Sequence, residues 1–337
     1  MEKKFKYYVG VDVSKNTLDY CVVKENKEIF CFQSENSCKG IKSFIKELKS
    51  KDITDLNELL FCAEHTGIYN NPLLYFLKEK GGTIWLESAL HIKRSMGLQR
   101  GKSDKVDAQR IAMFAYKNRE DAKIFEAPRE VIRQLKGLSG LRSQLIEAVK
   151  GFNVRIKEIK GFESKELARS IEANCKKTIA ALNTDLKRVE QEIQRIIQSD
   201  NYLNQLFTII KSVDGVGNVT ATEVVISTNE FKNINDPRKF ACYCGVVPFD
   251  HLSGTSVRGK SRVSSMANKV LKTLFHMSAL SAIRVKGEFK DYFERKIKEG
   301  KNKMSVINAI RNKIIHRIFA CIRENRPYQK IYSYLLV

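Results

Sequence analysis

Tyr7-Tyr-Val-Gly-Val-Asp-Val-Ser14 is an apolar run that closes on a polar turn, with a single acid, Asp12, set inside it. A short run of this kind, bounded by turn residues, reads as a buried strand. Leu18-Asp-Tyr-Cys-Val-Val-Lys24 follows at hairpin distance, and Glu28-Ile-Phe-Cys-Phe32 reads as a third strand. Beyond it the pattern alternates. Ile41-Lys-Ser-Phe-Ile-Lys-Glu-Leu48 has helical spacing, and Leu59-Leu-Phe-Cys-Ala63 is a buried strand ending at Glu64. Asn71 to Lys80 is a helix stopped by Gly81-Gly82, Thr83-Ile-Trp-Leu86 is a strand, and Ser103 to Tyr116 is a helix. Strands that are first antiparallel and then alternate with helices predict a mixed α/β domain over residues 1–127.

Pro128 marks a change of period. Val131, Leu135, Leu138, Arg142, Leu145, Val149, Phe152, Ile156 and Ile159 step alternately by four and three, with Arg142 the one polar residue in the seam. Gly161 offers a turn and Ser164 an N-cap. A second amphipathic stretch runs through Ile171, Cys175, Thr178 and Leu182, and after a phase slip through Leu186, Val189, Ile193 and Ile196. Residues 128–204 therefore predict a long helical hairpin or coiled coil, closed within one chain or used as a dimerisation arm, since heptads fix the seam but not the partner. Residues 205–337 read as an α-helical domain. It holds a helix–glycine turn–helix at Gly215-Val-Gly217, a polar loop from Phe249 to Ser264 and basic amphipathic helices after it. The Gly215 turn is either a phosphate-holding hairpin or a plain interhelix turn.

The 337 residues carry a formal net charge of +22, with 43% hydrophobic and 29% charged residues. That composition is globular, and the excess of cations runs along the whole chain. Counterion release makes nucleic acid the expected partner. An anionic membrane fits less well, because no basic amphipathic helix carries an aromatic face and no apolar run reaches a membrane span. The eight cysteines, at 21, 31, 38, 62, 175, 242, 244 and 321, form no C-x-x-C pair. They read as reduced thiols of a cytoplasmic protein, Cys242 and Cys244 as core.

Four acids stand out by position. Asp12 lies in the first strand, Glu64 ends a later one, and Asp104 and Asp107 share one face of the first turn of a helix. Acids in a first turn also serve the helix dipole alone. Four carboxylates from separate segments suit hard divalent cations, and phosphoryl transfer uses two of them about 3.5–4 Å apart. His65, next to Glu64, is a weaker candidate that more often has a structural role.

Val9-Gly-Val-Asp-Val-Ser-Lys15, Ala63-Glu-His-Thr-Gly-Ile-Tyr69 and Gly101-Lys-Ser-Asp-Lys-Val-Asp-Ala108 resemble the three blocks of the DEDD insertion-sequence transposases. Val213-Asp-Gly-Val-Gly-Asn-Val-Thr-Ala221 and Cys244-Gly-Val-Val-Pro248, followed by Ser253-Gly254, resemble the same family's C-terminal transposase domain. The resemblance covers both ends of the chain in the family's order. It implies a RuvC-like, ribonuclease-H-type N-terminal domain, so the expected fold class is α/β plus α. It implies metal ligation by Asp12, Glu64, Asp104 and Asp107, with magnesium or manganese as a pair of ions. It also implies an RNA-guided recombinase that acts on double-stranded donor and target DNA with a structured bridge RNA, as a dimer assembling to a tetramer.

In that family a C-terminal serine is the nucleophile and forms a covalent 5′-phosphoserine link to DNA. The matching position is Ser253, with Ser256 as runner-up in the same segment. A hydroxyl needs a base or metal to lower the cost of its deprotonation. Gly254 would admit a DNA backbone, and Arg258, Lys260 and Arg262 would grip flanking phosphates. A Ser-Gly pair is otherwise an ordinary loop. Two departures are visible: Lys272 stands where the family has arginine, and Glu87-Ser-Ala89 where an asparagine–proline pair is common. Lysine lacks the bidentate fork of arginine. Two further function classes fit the same charge: a Holliday-junction-resolvase-like nuclease using the four acids and water, and a non-catalytic nucleic-acid-binding protein.

Overall fold

The computed structural model describes residues 5–95, 97, 104–253 and 257–329, with the backbone alone over 250–253 and 257–262. Ser103, Gly254 and Ser256, named above, lie outside the described residues. The chain divides into two compact units, residues 1–127 and 128–337.

The first unit is a five-stranded mixed sheet. Its strands are β1 (Tyr7–Val13), β2 (Thr17–Lys24), β3 (Lys27–Glu35), β4 (Leu59–Glu64) and β5 (Thr83–Glu87), in the spatial order β3-β2-β1-β4-β5. β1, β2 and β3 pair antiparallel, whereas β4 and β5 join parallel to β1. The helices are α1 (Cys38–Ser50), α2 (Asn71–Glu79), α3 (Ala89–Ser95) and α4 (Asp104–Lys117). Ser37 caps α1 by accepting from the Gly40 amide. Strand alternation sends Val9, Val11, Tyr20, Val22, Phe61 and Ala63 to one side, where they bury against Ile41, Phe44 and Leu73 of α1 and α2. The Tyr20 and Phe44 rings stack there with centroids 3.8 Å apart. Tyr8, Leu60, Cys62 and Trp85 face the other way, onto Ile111 and Phe114 of α4. A mixed sheet with helices on both faces fits the ribonuclease-H-type expectation. The sequence reading did not include α3.

The second unit begins with two long helices, α5 (Glu130–Phe162) and α6 (Lys165–Ser199). Arg142 pairs with Glu190 and Lys160 with Glu172 across them, pairs that widen evenly away from the turn and therefore record an antiparallel hairpin. The polar Arg142 in the apolar seam is thus answered inside the chain. Ser164 caps α6 by accepting from the Leu167 amide, while Gly161 lies inside α5 and the turn follows it. Further on lie α7 (Asn201–Lys211), α8 (Asn218–Thr228), α9 (Pro237–Tyr243), β6 (Pro248–Ser253), β7 (Val257–Val263), α10 (Lys269–Ala282), α11 (Glu288–Lys298) and α12 (Lys303–Arg323). Ile132, Leu135, Val189, Ile193 and Ile197 belong to the same core as Phe240, Phe275 and Ile314. The base of the hairpin is therefore continuous with the helices after it, and residues 128–204 do not separate as a compact unit.

One expectation is corrected. The segment from Phe249 to Ser264, expected as a polar loop in a purely α-helical domain, is instead a two-stranded antiparallel sheet, β6 with β7. Gly215, with φ of 84°, is pressed so close to α10 that a Cβ there would overlap the Ser278 carbonyl oxygen. That glycine's conformation is fixed by packing.

Arg129 ties the second unit together just ahead of α5. Its guanidinium donates to the Asp200 carboxylate at 2.7 Å and, through Nε, to both oxygens of Glu230 at 3.1 Å. The Glu230 side chain is fully buried. It sits in a stretch, Asn229 to Phe231, whose three residues all have left-handed φ values of 49°, 57° and 63°, a conformation that costs L residues energy and persists only where the surroundings hold it.

Candidate active site

The first two acids converge through strand register. β1 and β4 run parallel with Val11 beside Ala63, so Asp12 and Glu64 stand one residue further along, side by side at the strands' C-terminal ends. Alternation turns both away from the α1–α2 side, because Val11, Val13 and Ala63 occupy it. They face α4. Ligand sites of sheets with parallel strands form at such strand ends.

Asp104 and Asp107 arrive by helix packing. A Cβ on Gly10 would overlap the Ala108 carbonyl oxygen and the Ala112 amide nitrogen. α4 therefore lies directly on the backbone of β1, a seat that only glycine permits. Asp104 and Asp107 open α4, within a turn of that contact, and so come down over the end of β1.

Electrostatics record the convergence. Burial first, and then the negative charges of Glu64, Asp104, Asp107 and Asp19, together push the Asp12 carboxyl up to about 6. Acids whose charges penalise the ionisation of Asp12 fit divalent cations, which would be held by Asp12, Glu64, Asp104 and Asp107 and would relieve that repulsion. Among the described residues, no three of these acids hold oxygen atoms within 4.8 Å of one another.

The structure adds residues that the sequence reading passed over. Asp19, directly opposite Asp12 in the β1–β2 ladder, is buried, and its carboxylate accepts from Gln33 Nε2 at 2.8 Å. Burial raises its carboxyl as well. A lone acid inside an apolar strand was the available signal. Asn70 is buried too. Its Oδ1 accepts from the Thr66 amide at 2.7 Å and from the Thr66 hydroxyl, and its Nδ2 donates to the Glu64 carbonyl at 2.9 Å, fixing the backbone that carries Glu64. Arg110 Nη1 donates to Asp107 at 2.8 Å. His65 is exposed and its backbone amide donates to the Glu87 carbonyl, continuing the ladder between β4 and β5.

In the second unit, Ser253 ends β6 in register with Val257, and Arg258, Lys260 and Arg262 lie along β7. Lys272 stands in the first turn of α10, its chain against the Gly245 turn, whose φ is 64°. Asn268 caps the same helix by accepting from the Leu271 amide at 3.0 Å. Cys244 is buried and Cys242 half-buried.

Comparison with known proteins places both halves. A DEDD transposase model matches residues 9–159, and the model described as "Transposase IS116/IS110/IS902 family" matches residues 207–294. The pilin gene-inverting protein of Moraxella bovis is 23% identical over 96% of this chain and 98% of its own length. That of Moraxella lacunata is similar to the same extent. An insertion element IS116 protein of Streptomyces clavuligerus is 25% identical over 44% of this chain and 36% of its own. With its carboxylate-bearing half and its C-terminal half each matched, in that order along one polypeptide, this chain belongs to the DEDD-type IS110/IS116 family of DNA transposases and recombinases.

Proposed function

We propose that this transposase is an RNA-guided recombinase of an insertion sequence, which cuts and rejoins DNA through a metal site built by Asp12, Glu64, Asp104 and Asp107 and a serine nucleophile, Ser253. The observation that supports the reading is the raised Asp12 carboxyl, pushed up by burial and then by the charges of Glu64, Asp104 and Asp107. Magnesium or manganese, as two ions, would supply charge neutralisation at the phosphate and an activated oxygen. The chain's residues do the rest. Glu64 and Asp12 are held by strand register and Asp107 by Arg110, so the donors are positioned before the substrate arrives.

In the covalent step the Ser253 oxygen bonds to the phosphorus, its proton leaves to a base, and the bond to the 3′ oxygen breaks to give a 3′-hydroxyl and a 5′-phosphoserine. The reverse step, with another 3′-hydroxyl attacking, rejoins strands and regenerates the serine. Arg258, Lys260, Arg262 and Lys272 hold the flanking phosphates. The +22 charge supports a polyanionic partner in the form of duplex DNA and a structured bridge RNA. Paired strand exchange calls for several active centres, hence a dimer assembling to a tetramer, in the cytoplasm. Within the second unit, 128–204 acts as a connector and 205–337 as the serine-bearing part.

The pilin gene-inverting relatives favour rejoining over plain hydrolysis, because inverting a segment requires that cut ends be sealed again. The test incubates the protein with end-containing DNA, guide RNA and magnesium, then looks for a denaturation-resistant adduct by peptide mapping. An adduct at Ser253 that needs Asp12 supports the reading. Cleavage without an adduct, unaffected by Ser253→Ala, would turn it into the resolvase-like nuclease.

A further inference from the structure

Two of the four cysteines of the first unit lie side by side. Cys21 of β2 and Cys31 of β3 are direct cross-strand partners, and Glu28 joins them: one ligand atom from each of the three lies within 4.8 Å of the other two. A strand of regular pleat would place Glu28, three residues from Cys31, on the opposite face. A register shift prevents this. Val22 pairs with Phe30 and Val23 with Glu28, so Ile29 is the extra residue of a β-bulge. Cys21 and Val23 share the face under α4, and the bulge returns Glu28 to that face beside Cys31. Bulges disrupt a ladder locally and re-aim a side chain, and here the re-aimed group is a carboxylate set against two sulfurs.

We propose that Cys21, Cys31 and Glu28 form a binding site for a thiophilic divalent cation of the zinc class, separate from the oxygen-only acids around Asp12. Two sulfurs and one carboxylate oxygen are the donor set of such an ion, whereas magnesium takes oxygen donors. Tetrahedral coordination with bonds of about 2.0–2.3 Å sets donors roughly 3.5–3.8 Å apart, inside the observed limit. Cys31 is half-buried and Glu28 exposed, which leaves a solvent side for water as fourth ligand, while Cys21 closes the inner side.

The groups already interact. The Cys31 thiol donates to Glu28 Oε1 at 3.3 Å, and the two thiols are hydrogen-bonded to each other. Binding is a proton exchange: two sulfur–metal bonds form, two thiol protons leave to solvent, and the carboxylate adds its charge. The resulting complex carries one net negative charge. Lys105 of α4, whose charge acts on both sulfurs, lies close enough to offset it.

A disulfide is the competing use of the pair. Directly opposed strand residues keep Cβ atoms about 4.5–5.5 Å apart, wider than the roughly 3.5–4.5 Å of a disulfide. It would also leave the bulged Glu28 without a role. The ion would pin β2 to β3 beneath α4, the helix that carries Asp104 and Asp107.

The experiment uses the full chain, stripped of metal, reduced with a phosphine and titrated with cobalt(II) as a spectroscopic stand-in for zinc. The expected result is a thiolate-to-cobalt charge-transfer band in the near ultraviolet that saturates at one equivalent and is displaced by zinc. Cys31→Ser should abolish the band, and Glu28→Gln should weaken zinc affinity at least about tenfold in competition with a chromogenic chelator. Asp12→Asn should leave both unchanged, which separates this site from the proposed catalytic one. Circular dichroism of Cys31→Ser confirms that the variant folds. Absence of the band from the reduced wild-type protein would overturn the proposal, as would a band of full intensity in Cys31→Ser.

Discussion

Gly10 of β1 meets the carbonyl of Ala108 in α4 so closely that no side-chain atom fits between them. This one contact sets the height of α4 above the sheet. Asp107 is the residue next to Ala108 and Asp104 lies one turn back, so the contact also sets how near both carboxylates come to Asp12 and Glu64. Backbone packing gathers the site.

Gly10→Ala should therefore act on stability and activity together. The added methyl meets backbone atoms, which cannot swing aside, so α4 must lift. Overpacking of this kind costs about 1–3 kcal/mol, and displacement of catalytic groups by about 1 Å can cost hundredfold in rate. Thermal denaturation and a magnesium-dependent recombination assay would read both. Wild-type values in each would break the link between the Gly10 seat and the acids.

Asp12→Asn should stabilise the metal-free protein while abolishing recombination. The Asp12 carboxyl is raised to about 6 in the fold, against roughly 4 when unfolded. Between those values the native state holds more protons than the unfolded one, so stability falls as pH rises and the full penalty stands above the folded value. Asparagine removes a penalty of up to about 2 kcal/mol for this part-buried group. The melting temperature of the variant should exceed wild type at pH 8 and match it near pH 4, and magnesium should stabilise wild type alone. Equal melting curves at pH 8 would mean that Asp12 does not carry the repulsion.

How much of this was legible in the sequence depends on which forces the sequence displays. β1 and β4 were readable because burial on both faces leaves near-continuous apolar runs, and the acids that end those runs stand out. The hairpin of β6 and β7 was not, since Val257-Arg-Gly-Lys-Ser-Arg-Val263 alternates small or apolar residues with cations and looks like a loop when charge alone is weighed. Asp19 and Gln33 carry no motif, and their pairing exists only through the register of β2 and β3. Cys21 and Cys31 looked unrelated for the same reason. Gly10 carries no signal within its own strand, because the helix that needs it lies about a hundred residues away.

Asn70→Ala should impair catalysis more than DNA binding. Loss of its amide frees the Glu64 carbonyl and the Thr66 amide from their partner. Leaving buried polar groups unpaired costs about 1–3 kcal/mol, and the loop that follows Glu64 would lose its tie. The expected outcome is a large fall in recombination with duplex affinity within a few-fold of wild type. Retention of full activity would mean that the end of β4 holds Glu64 without Asn70.

Arg129→Ala should be severely destabilising to the second unit. Glu230 is fully buried, and Arg129 offers it the short bidentate pairing, with Lys232 Nζ at 3.2 Å as the remaining contact. Removing one partner of a buried pair typically costs about 3–5 kcal/mol, because the other charge stays in the interior. Adding Glu230→Gln should recover part of the loss, as it removes that charge. Denaturant unfolding of the two variants beside wild type tests this, and an Arg129→Ala midpoint equal to wild type would refute it.

Ser253 and Ser256 can be told apart by chemistry and position together. Ser253 closes β6 in register with Val257, so its backbone is defined by a ladder that an alanine at the same place preserves. Ser253→Ala should eliminate the protein–DNA adduct and recombination, while duplex affinity and its salt dependence stay as in wild type, because a neutral hydroxyl releases no counterions. Ser256→Ala should keep the adduct. Lys272→Ala makes the contrast: if its ammonium meets a phosphate, the slope of log affinity against log salt should shrink by about 0.9, with the adduct still forming at low salt. An adduct that survives Ser253→Ala and vanishes with Ser256→Ala would move the nucleophile to the later serine. An adduct lost with neither would place the nucleophile on another residue, whereas strand cleavage with no adduct in any of these proteins would leave the four acids to act through water.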